Sequence, residues 1–165
     1  MSQLIDKPPA QAPQAPQLKG KGKTPLFVLP STAGGTSGPG ALRSKYNAVL
    51  AFLDAGPQAE EFLRGLATLY AEILASQARL LVVVPLTLDD CVELVRKLSL
   101  PFPLLADDGG KTTRRMLGES HRAAICVTDR YGQVFSLEVA ASTSELPPPR
   151  SAFDWLEFIL IQCPE

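Results

Sequence analysis

This sequence has no large excess of charge of either sign, few cysteines and no long apolar run. Its 165 residues carry 16 Lys and Arg against 17 Asp and Glu, a formal net charge of -1. A chain without a broad positive field has little means of holding phosphate backbones or anionic lipid. No apolar run approaches the roughly 18 residues of a membrane span, and the start lacks the basic and apolar regions of a secretion signal. We therefore expect a cytoplasmic protein that binds neither nucleic acid nor membrane.

Cysteine and histidine are too few and too scattered for a disulfide framework or a metal centre. Cys91, Cys126 and Cys163 lie far apart in the chain, and His121 is the only histidine. An odd number of distant cysteines fits a reducing compartment, and one histidine without a nearby cysteine makes a poor metal site. The glycine-rich segment 34–40 lacks the terminal Lys-Ser/Thr of a phosphate-binding loop. The sequence predicts no metal and no cofactor.

Length and composition favour one folded domain after a short tail. Residues 8–17, PPAQAPQAPQ, contain no aromatic or branched apolar residue and cannot offset the entropy of ordering. We predict that residues 1–23 are a disordered Pro/Ala/Gln-rich tail and linker. Residues 24–165 are long enough to bury a core of their own and are predicted to form the domain.

The first half of the predicted domain alternates between strand and helix patterns. The apolar run over 47–53 predicts a buried strand, and apolar residues at helical spacing predict a helix over 59–76. A β-branched run over 79–86 indicates a central strand covered on both faces, and helical spacing returns over 88–99. The order β-α-β-α implies two parallel strands joined by a right-handed crossover.

The second half predicts shorter elements and a hairpin. In order, they are a short strand or extended segment over 102–107, a helix over 109–118, two strands over 123–129 and 133–140, and a last helix over 151–162. Gly118 is expected to end the helix over 109–118, and Gly132 supplies the positive φ of the hairpin turn. Ser151 is the expected N-cap of the last helix.

Four segments in this order carry a resemblance: FVLPSTAGG, KYNAVLAFLDAGPQAEEFLRGL, PFPLLADDGG and ICVTDRYGQVF. From about Pro25 to Glu165 the chain resembles the thioredoxin-like redoxins of the alkyl hydroperoxide reductase and thiol-specific antioxidant class, the peroxiredoxin-like branch. The ending WLEFILIQCPE resembles that of one bacterial subgroup. The resemblance implies an α/β thioredoxin-like fold, with a central mixed sheet and helices on both faces.

The same resemblance locates an active-site loop that has lost its chemistry. Where the family has Cys-x-x-Cys or Thr-x-x-Cys, this chain has Gly56, Pro57, Gln58 and Ala59. The chemistry requires a thiolate whose pKa is lowered by the helix N-terminus, and neither thiol position holds sulfur. The family's cis-proline position is Ala123. A cis bond before a residue other than proline costs about 2.5 to 4 kcal/mol, so we expect a trans bond there.

Two functions stay open at this point. The first is a degenerate redoxin, without peroxidase or disulfide-reductase activity, whose former active-site surface binds an unknown protein or small-molecule ligand. The alternative is an active thiol-dependent oxidoreductase of the peroxidase, antioxidant type. It would use Cys91, in the first turn of its helix, or Cys163, near the C-terminus; Cys126 is interpreted as a core residue. Arg122, near the position of the family's arginine, is interpreted as a surface or capping residue. Since related redoxins often pair through sheet edges or helix faces, a homodimer is also an open expectation.

Overall fold

The structure, a computed structural model, describes residues 16–162. The predicted tail up to residue 15 and Cys163 therefore lie outside the described residues. The elements in chain order are β1 (Leu29–Pro30), β2 (Thr36–Ser37), β3 (Asn47–Phe52), α1 (Pro57–Ala75), β4 (Ala78–Val84), α2 (Leu88–Leu98), β5 (Leu105–Ala106), α3 (Lys111–Leu117), β6 (Ala123–Thr128), β7 (Val134–Ala140) and α4 (Pro149–Gln162). Of the helices in residues 16–162, none is long and apolar enough to cross a membrane.

A five-stranded mixed sheet in the order β5-β4-β3-β6-β7 forms the centre of the protein. Strand β3 is parallel to β4, as the β-α-β pattern predicted, and antiparallel to β6. Strands β6 and β7 form the predicted hairpin, with Gly132 at a φ of 83° in its turn. The short strands β1 and β2 pair only with each other.

Helices cover both faces of this sheet, as predicted. Because successive side chains of a strand point to opposite faces, Val49 and Ala51 belong to one core and Leu50 and Phe52 to the other. Helices α1, α2 and α4 contribute buried side chains to the first core, and α3 contributes to the second. Every residue of β3 is buried, which explains why the strand is continuously apolar after Asn47.

Two elements of the second half differ in their bounds from the prediction. The segment 102–107, predicted as a short strand or extended segment, is a strand only over the two residues of β5, because the N–H and carbonyl of Leu104 bond to Thr32 instead. The last helix begins at Pro149, before the expected N-cap. The Ser151 hydroxyl instead donates a hydrogen bond of 2.9 Å to the carbonyl of Pro148. Proline is favoured at a helix start because the first N–H groups have no partner within the helix.

The folded part starts before the predicted boundary at residue 24. The Leu18 side chain is buried in the core on the α3 side, and its N–H donates to the carbonyl of Met116 at 3.0 Å. Lys23 forms a β-bridge with Gln133, next to the β6–β7 turn. The segment 17–23, predicted as linker, is therefore packed against the domain.

Candidate functional site

A sharp turn connects strand β3 to helix α1 and forms the mouth of that helix. Gly56 is the N-cap residue, and its φ of 130° and ψ of -177° lie in a region that only glycine adopts readily. Pro57 follows at the first helical position, and no side chain caps the helix. The turn therefore depends on a glycine and a proline in that order.

The four residues in the family's thiol-loop positions do not provide a nucleophile. Pro57 and Gln58 are exposed, whereas Ala59 is only 3% exposed and belongs to the core on the α1 side. A cysteine in place of Gly56 would have to adopt the glycine-only backbone conformation. The turn is thus shaped for a residue without a Cβ atom, which was not apparent from the retained proline.

Ala123 is the first residue of β6 and is fully buried. Its neighbour Ala124 pairs with Phe52, the last residue of β3. Ala123 therefore lies at the end of the strands where the chain leaves β3 for the α1 mouth. No peptide bond between residues 16 and 162 is cis, so the bond before Ala123 is trans. Ala123 does not line either of the two cavities described next.

The first cavity lies between the first turn of α1 and helix α2, and we refer to it as the α1–α2 groove. Its volume is about 290 Å³. Its walls come from the β3–α1 turn, the end of β4 and one side of α2; the lining residues are Asp54, Ala55, Gly56, Ala59, Glu60, Val84, Leu86, Asp90, Glu93, Leu94 and Lys97. The groove therefore includes Gly56 and Ala59 of the thiol-free loop.

The second cavity, which we refer to as the α3 cleft, has a volume of about 390 Å³ and shares Asp54 and Ala55 with the groove. Arg122, which is exposed, lines it together with His121. Arg114, also on its wall, donates a hydrogen bond of 2.8 Å to the carbonyl of Gly109. The interpretation of Arg122 as a surface residue agrees with its exposure, but its place on the wall of a cavity was not anticipated.

The wall between the two cavities is held by Asp54 and Thr143. The Asp54 N–H donates to the Thr143 hydroxyl at 3.1 Å, and that hydroxyl donates to Asp54 Oδ1 at 2.5 Å. The Thr143 N–H donates to Asp54 Oδ2 at 3.3 Å. The sequence did give an indication of Asp54, because this polar residue directly follows the strand predicted over 47–53. Thr143, in a short 3-10 turn after β7, gave none.

A buried carboxylate fixes the wall of the α3 cleft. Asp107 is 3% exposed, and its oxygens accept hydrogen bonds from the N–H groups of Thr112 and Thr113 at 3.0 and 2.8 Å. The Thr113 hydroxyl also donates to it at 2.8 Å. These bonds satisfy N–H groups at the start of α3 that have no partner within the helix. Asp107 is therefore a structural cap of α3.

The two described cysteines are both unfavourably placed for thiolate chemistry. Cys91 is fully buried, and burial, followed by the charge of Asp90, raises the pKa of its thiol to about 11. Burial alone raises the pKa of Cys126, in the middle of β6, to about 12. The thiolate is the reactive form, and the raised pKa of both side chains disfavours it at neutral pH. At Cys91 the effect of burial on the pKa outweighs that of the helix start.

Comparisons of the sequence identify no relative. No protein-family model matches the chain, and no curated protein is similar to it in sequence.

Comparisons of the structure find many similar folds. Peroxidoxin BcpB from Mycobacterium tuberculosis has a TM-score of 0.71 at 18% identity, with 86% of this chain and 98% of that chain covered. The yeast mitochondrial 1-Cys peroxiredoxin has a TM-score of 0.75 at 11% identity, covering 88% and 78%. The 2-Cys peroxiredoxin of Plasmodium vivax has a TM-score of 0.75 at 14% identity, covering 89% and 84%. This chain therefore has the thioredoxin-like fold of the peroxiredoxins.

Proposed function

We propose that this protein is a binding module with the fold of a redoxin and without peroxidase or disulfide-reductase activity. The observation that carries the proposal is the α1 mouth, where a glycine in a glycine-only conformation and a buried alanine occupy the family's thiol positions. A helix N-terminus can activate a cysteine only where one is present. Fold alone does not imply function, so the proposal depends on this site.

The cavities beside the mouth support binding as the remaining role. The α1–α2 groove and the α3 cleft meet at Asp54 and Ala55, on the side of the sheet where β3 and β4 end. Crevices at the carboxyl ends of parallel strands are the usual ligand sites of α/β proteins. The proposal therefore assigns an unknown protein or small-molecule ligand to this surface, in a protein that we place in the reducing cytoplasm.

The alternative, an active thiol peroxidase, requires an accessible thiolate elsewhere. The burial and raised pKa of Cys91 and Cys126 argue against either of them in that role. Cys163 lies outside the described residues, so the experiment has to include it.

A stopped-flow assay of peroxide consumption by the fully reduced protein tests the proposal. The control is a variant in which all three cysteines are replaced by alanine. We expect both proteins to consume peroxide at the rate of buffer alone. Faster consumption by the natural protein than by the cysteine-free variant would overturn the proposal, and single replacements of Cys91, Cys126 and Cys163 would then identify the reacting thiol.

A further inference from the structure

The α1–α2 groove has an apolar floor of limited size. Ala59 and Val84 are buried at its base, and Leu86 and Leu94 are half-buried on its sides. Its volume of about 290 Å³ is at the lower end for small-molecule sites, which run from about 300 to 1,000 Å³. A space of this kind suits one large apolar side chain of a partner better than a whole cofactor.

The rim of the groove carries an excess of negative charge. Four carboxylates line it, those of Asp54, Glu60, Asp90 and Glu93, against the single ammonium group of Lys97. The Lys97 Nζ is already within 3.0 Å of Glu60 Oε2. This leaves the rim without a free cation of its own to balance the other acids.

The pairing of the remaining acids identifies the most available one. Glu93 Oε1 is 2.5 Å from the Arg96 guanidinium, and both oxygens of Asp54 accept bonds from Thr143. The exposed carboxylate of Asp90 makes no hydrogen bond or salt bridge within residues 16–162. Asp90 is therefore the rim acid best able to receive a new cationic partner.

Two helix starts at the groove reduce this negative field without cancelling it. Helices α1 and α2 both begin beside the groove, and each N-terminus is equivalent to about half a positive elementary charge. Glu60 and Asp90, in the first turns of these helices, already offset those partial charges. A positively charged partner is consequently favoured over a negatively charged one.

We infer that the α1–α2 groove receives an extended segment of a partner protein in which a large apolar side chain is flanked by Lys or Arg. The apolar side chain enters the space above Ala59 and Val84, and a basic neighbour faces Asp90. Complementary charge at such a rim provides specificity and speeds association. The inference rests on the proposed binding function and assigns it a class of partner.

Three capped tripeptides test this class: acetyl-Lys-Leu-Lys-amide, acetyl-Glu-Leu-Glu-amide and acetyl-Lys-Ala-Lys-amide. Each is titrated into the full-length, ¹⁵N-labelled protein, and the backbone amide shifts of Ala59, Glu60 and Leu94 report occupancy. We expect the Lys-Leu-Lys peptide to bind roughly fivefold more tightly than either of the others, a difference of about 1 kcal/mol. The advantage over Glu-Leu-Glu should shrink when salt is raised from about 20 to about 500 mM.

A matched pair of variants locates the charge effect. Asp90→Asn removes a carboxylate from the rim, whereas Asp89→Asn removes one from an exposed neighbour that does not line the groove. We expect Asp90→Asn to weaken Lys-Leu-Lys binding clearly more than Asp89→Asn does. Equal losses would mean that the overall charge of the protein, and not the rim, attracts the peptide, which would overturn the inference.

The remaining outcomes separate this inference from the proposed function. Equal or tighter binding of Glu-Leu-Glu at the same amides would refute the basic partner while leaving the groove as a binding site. If no peptide shifts those amides, the partner class is wrong. The proposed absence of catalysis is judged independently by the peroxide assay, whose result does not depend on these peptides.

Discussion

Asp54 and Thr143 exchange three hydrogen bonds although 89 residues separate them in the chain. One partner follows β3 and the other follows β7, so the pair ties the β3–α1 turn to the loop that leads to α4. Asp54 also lines both cavities. The pair therefore connects the stability of the fold with the shape of the proposed binding surface.

We predict that Thr143→Val destabilises the protein by about 1 to 3 kcal/mol, because the Asp54 N–H and Oδ1 lose their partner in a region where Thr143 is buried. Thr143→Ser keeps the hydroxyl and is the matched control, with an expected loss of about 1 kcal/mol or less. Urea denaturation measures both free energies of unfolding. Equal stability of the valine and serine variants would show that these bonds contribute little.

The main features of the fold could be predicted from local pattern because the longer helices and strands carry their apolar residues on the face that is buried. Helix α1 places Phe62, Leu66, Leu69 and Ile73 in the core, as its spacing indicated. Leu74, which the same spacing included, is 37% exposed. The first strand predicted from the sequence corresponds to β3, and its end was predicted to within one residue. The differences came at the ends of elements: β5 is only two residues long, and α4 begins at Pro149 because proline is favoured at a helix start.

The site was predictable in position and less so in chemistry. The motif resemblance placed Gly56 and Ala59 at the mouth of a helix, and the structure brings both to the wall of one groove. Neither the backbone angles of Gly56 nor the burial of Cys91 follows from local sequence, because both depend on contacts across the chain. For the same reason the partnership of Asp54 with Thr143 had no sequence signal.

Gly56 provides a second test of the turn at the α1 mouth. A side chain at its φ of 130° is strained, so we predict that Gly56→Ala destabilises the protein by about 1 to 3 kcal/mol. Nothing lies within 4 Å of the added Cβ atom, so any loss reflects backbone strain and not a clash. Gly20→Ala is the control, since that position also has open space and no positive φ. Denaturation curves that coincide for the two variants would contradict the strained conformation.

Restoring sulfur at the other thiol position should not restore chemistry. We predict that the thiol of Ala59→Cys reacts with peroxide no faster than free cysteine, because position 59 is 3% exposed and burial disfavours a thiolate. Cys91 is the precedent within this chain, since it also lies near a helix start and burial still raises its pKa to about 11. The pH dependence of alkylation by iodoacetamide measures the new thiol, with the natural protein as the control. A thiol that ionises below pH 7 would show that the α1 dipole dominates over burial.

The burial of Cys126 leads us to predict that the protein loses stability at alkaline pH. Burial raises the pKa of its thiol from 9.0 to about 12, so between these values the unfolded chain releases a proton that the folded protein retains. Because the folded-state pKa is the higher one, the stabilising contribution is fully present below about pH 9 and is lost as the pH rises toward 12. At about pH 10.5 the loss amounts to about 2 kcal/mol, since each pKa unit is worth about 1.4 kcal/mol.

Comparison with Cys126→Ala isolates this contribution from all other titrating groups. The alanine variant loses some packing at every pH, but its stability should fall by about 2 kcal/mol less than that of the natural protein between about pH 8 and about pH 10.5. Urea denaturation under reducing conditions at both pH values gives the two differences. Because Cys91 and every lysine and tyrosine are present in both proteins, their titration cancels in the comparison. Parallel losses in the two proteins would mean that the Cys126 thiol ionises in the folded state as readily as in the unfolded one, contrary to its burial in the centre of β6.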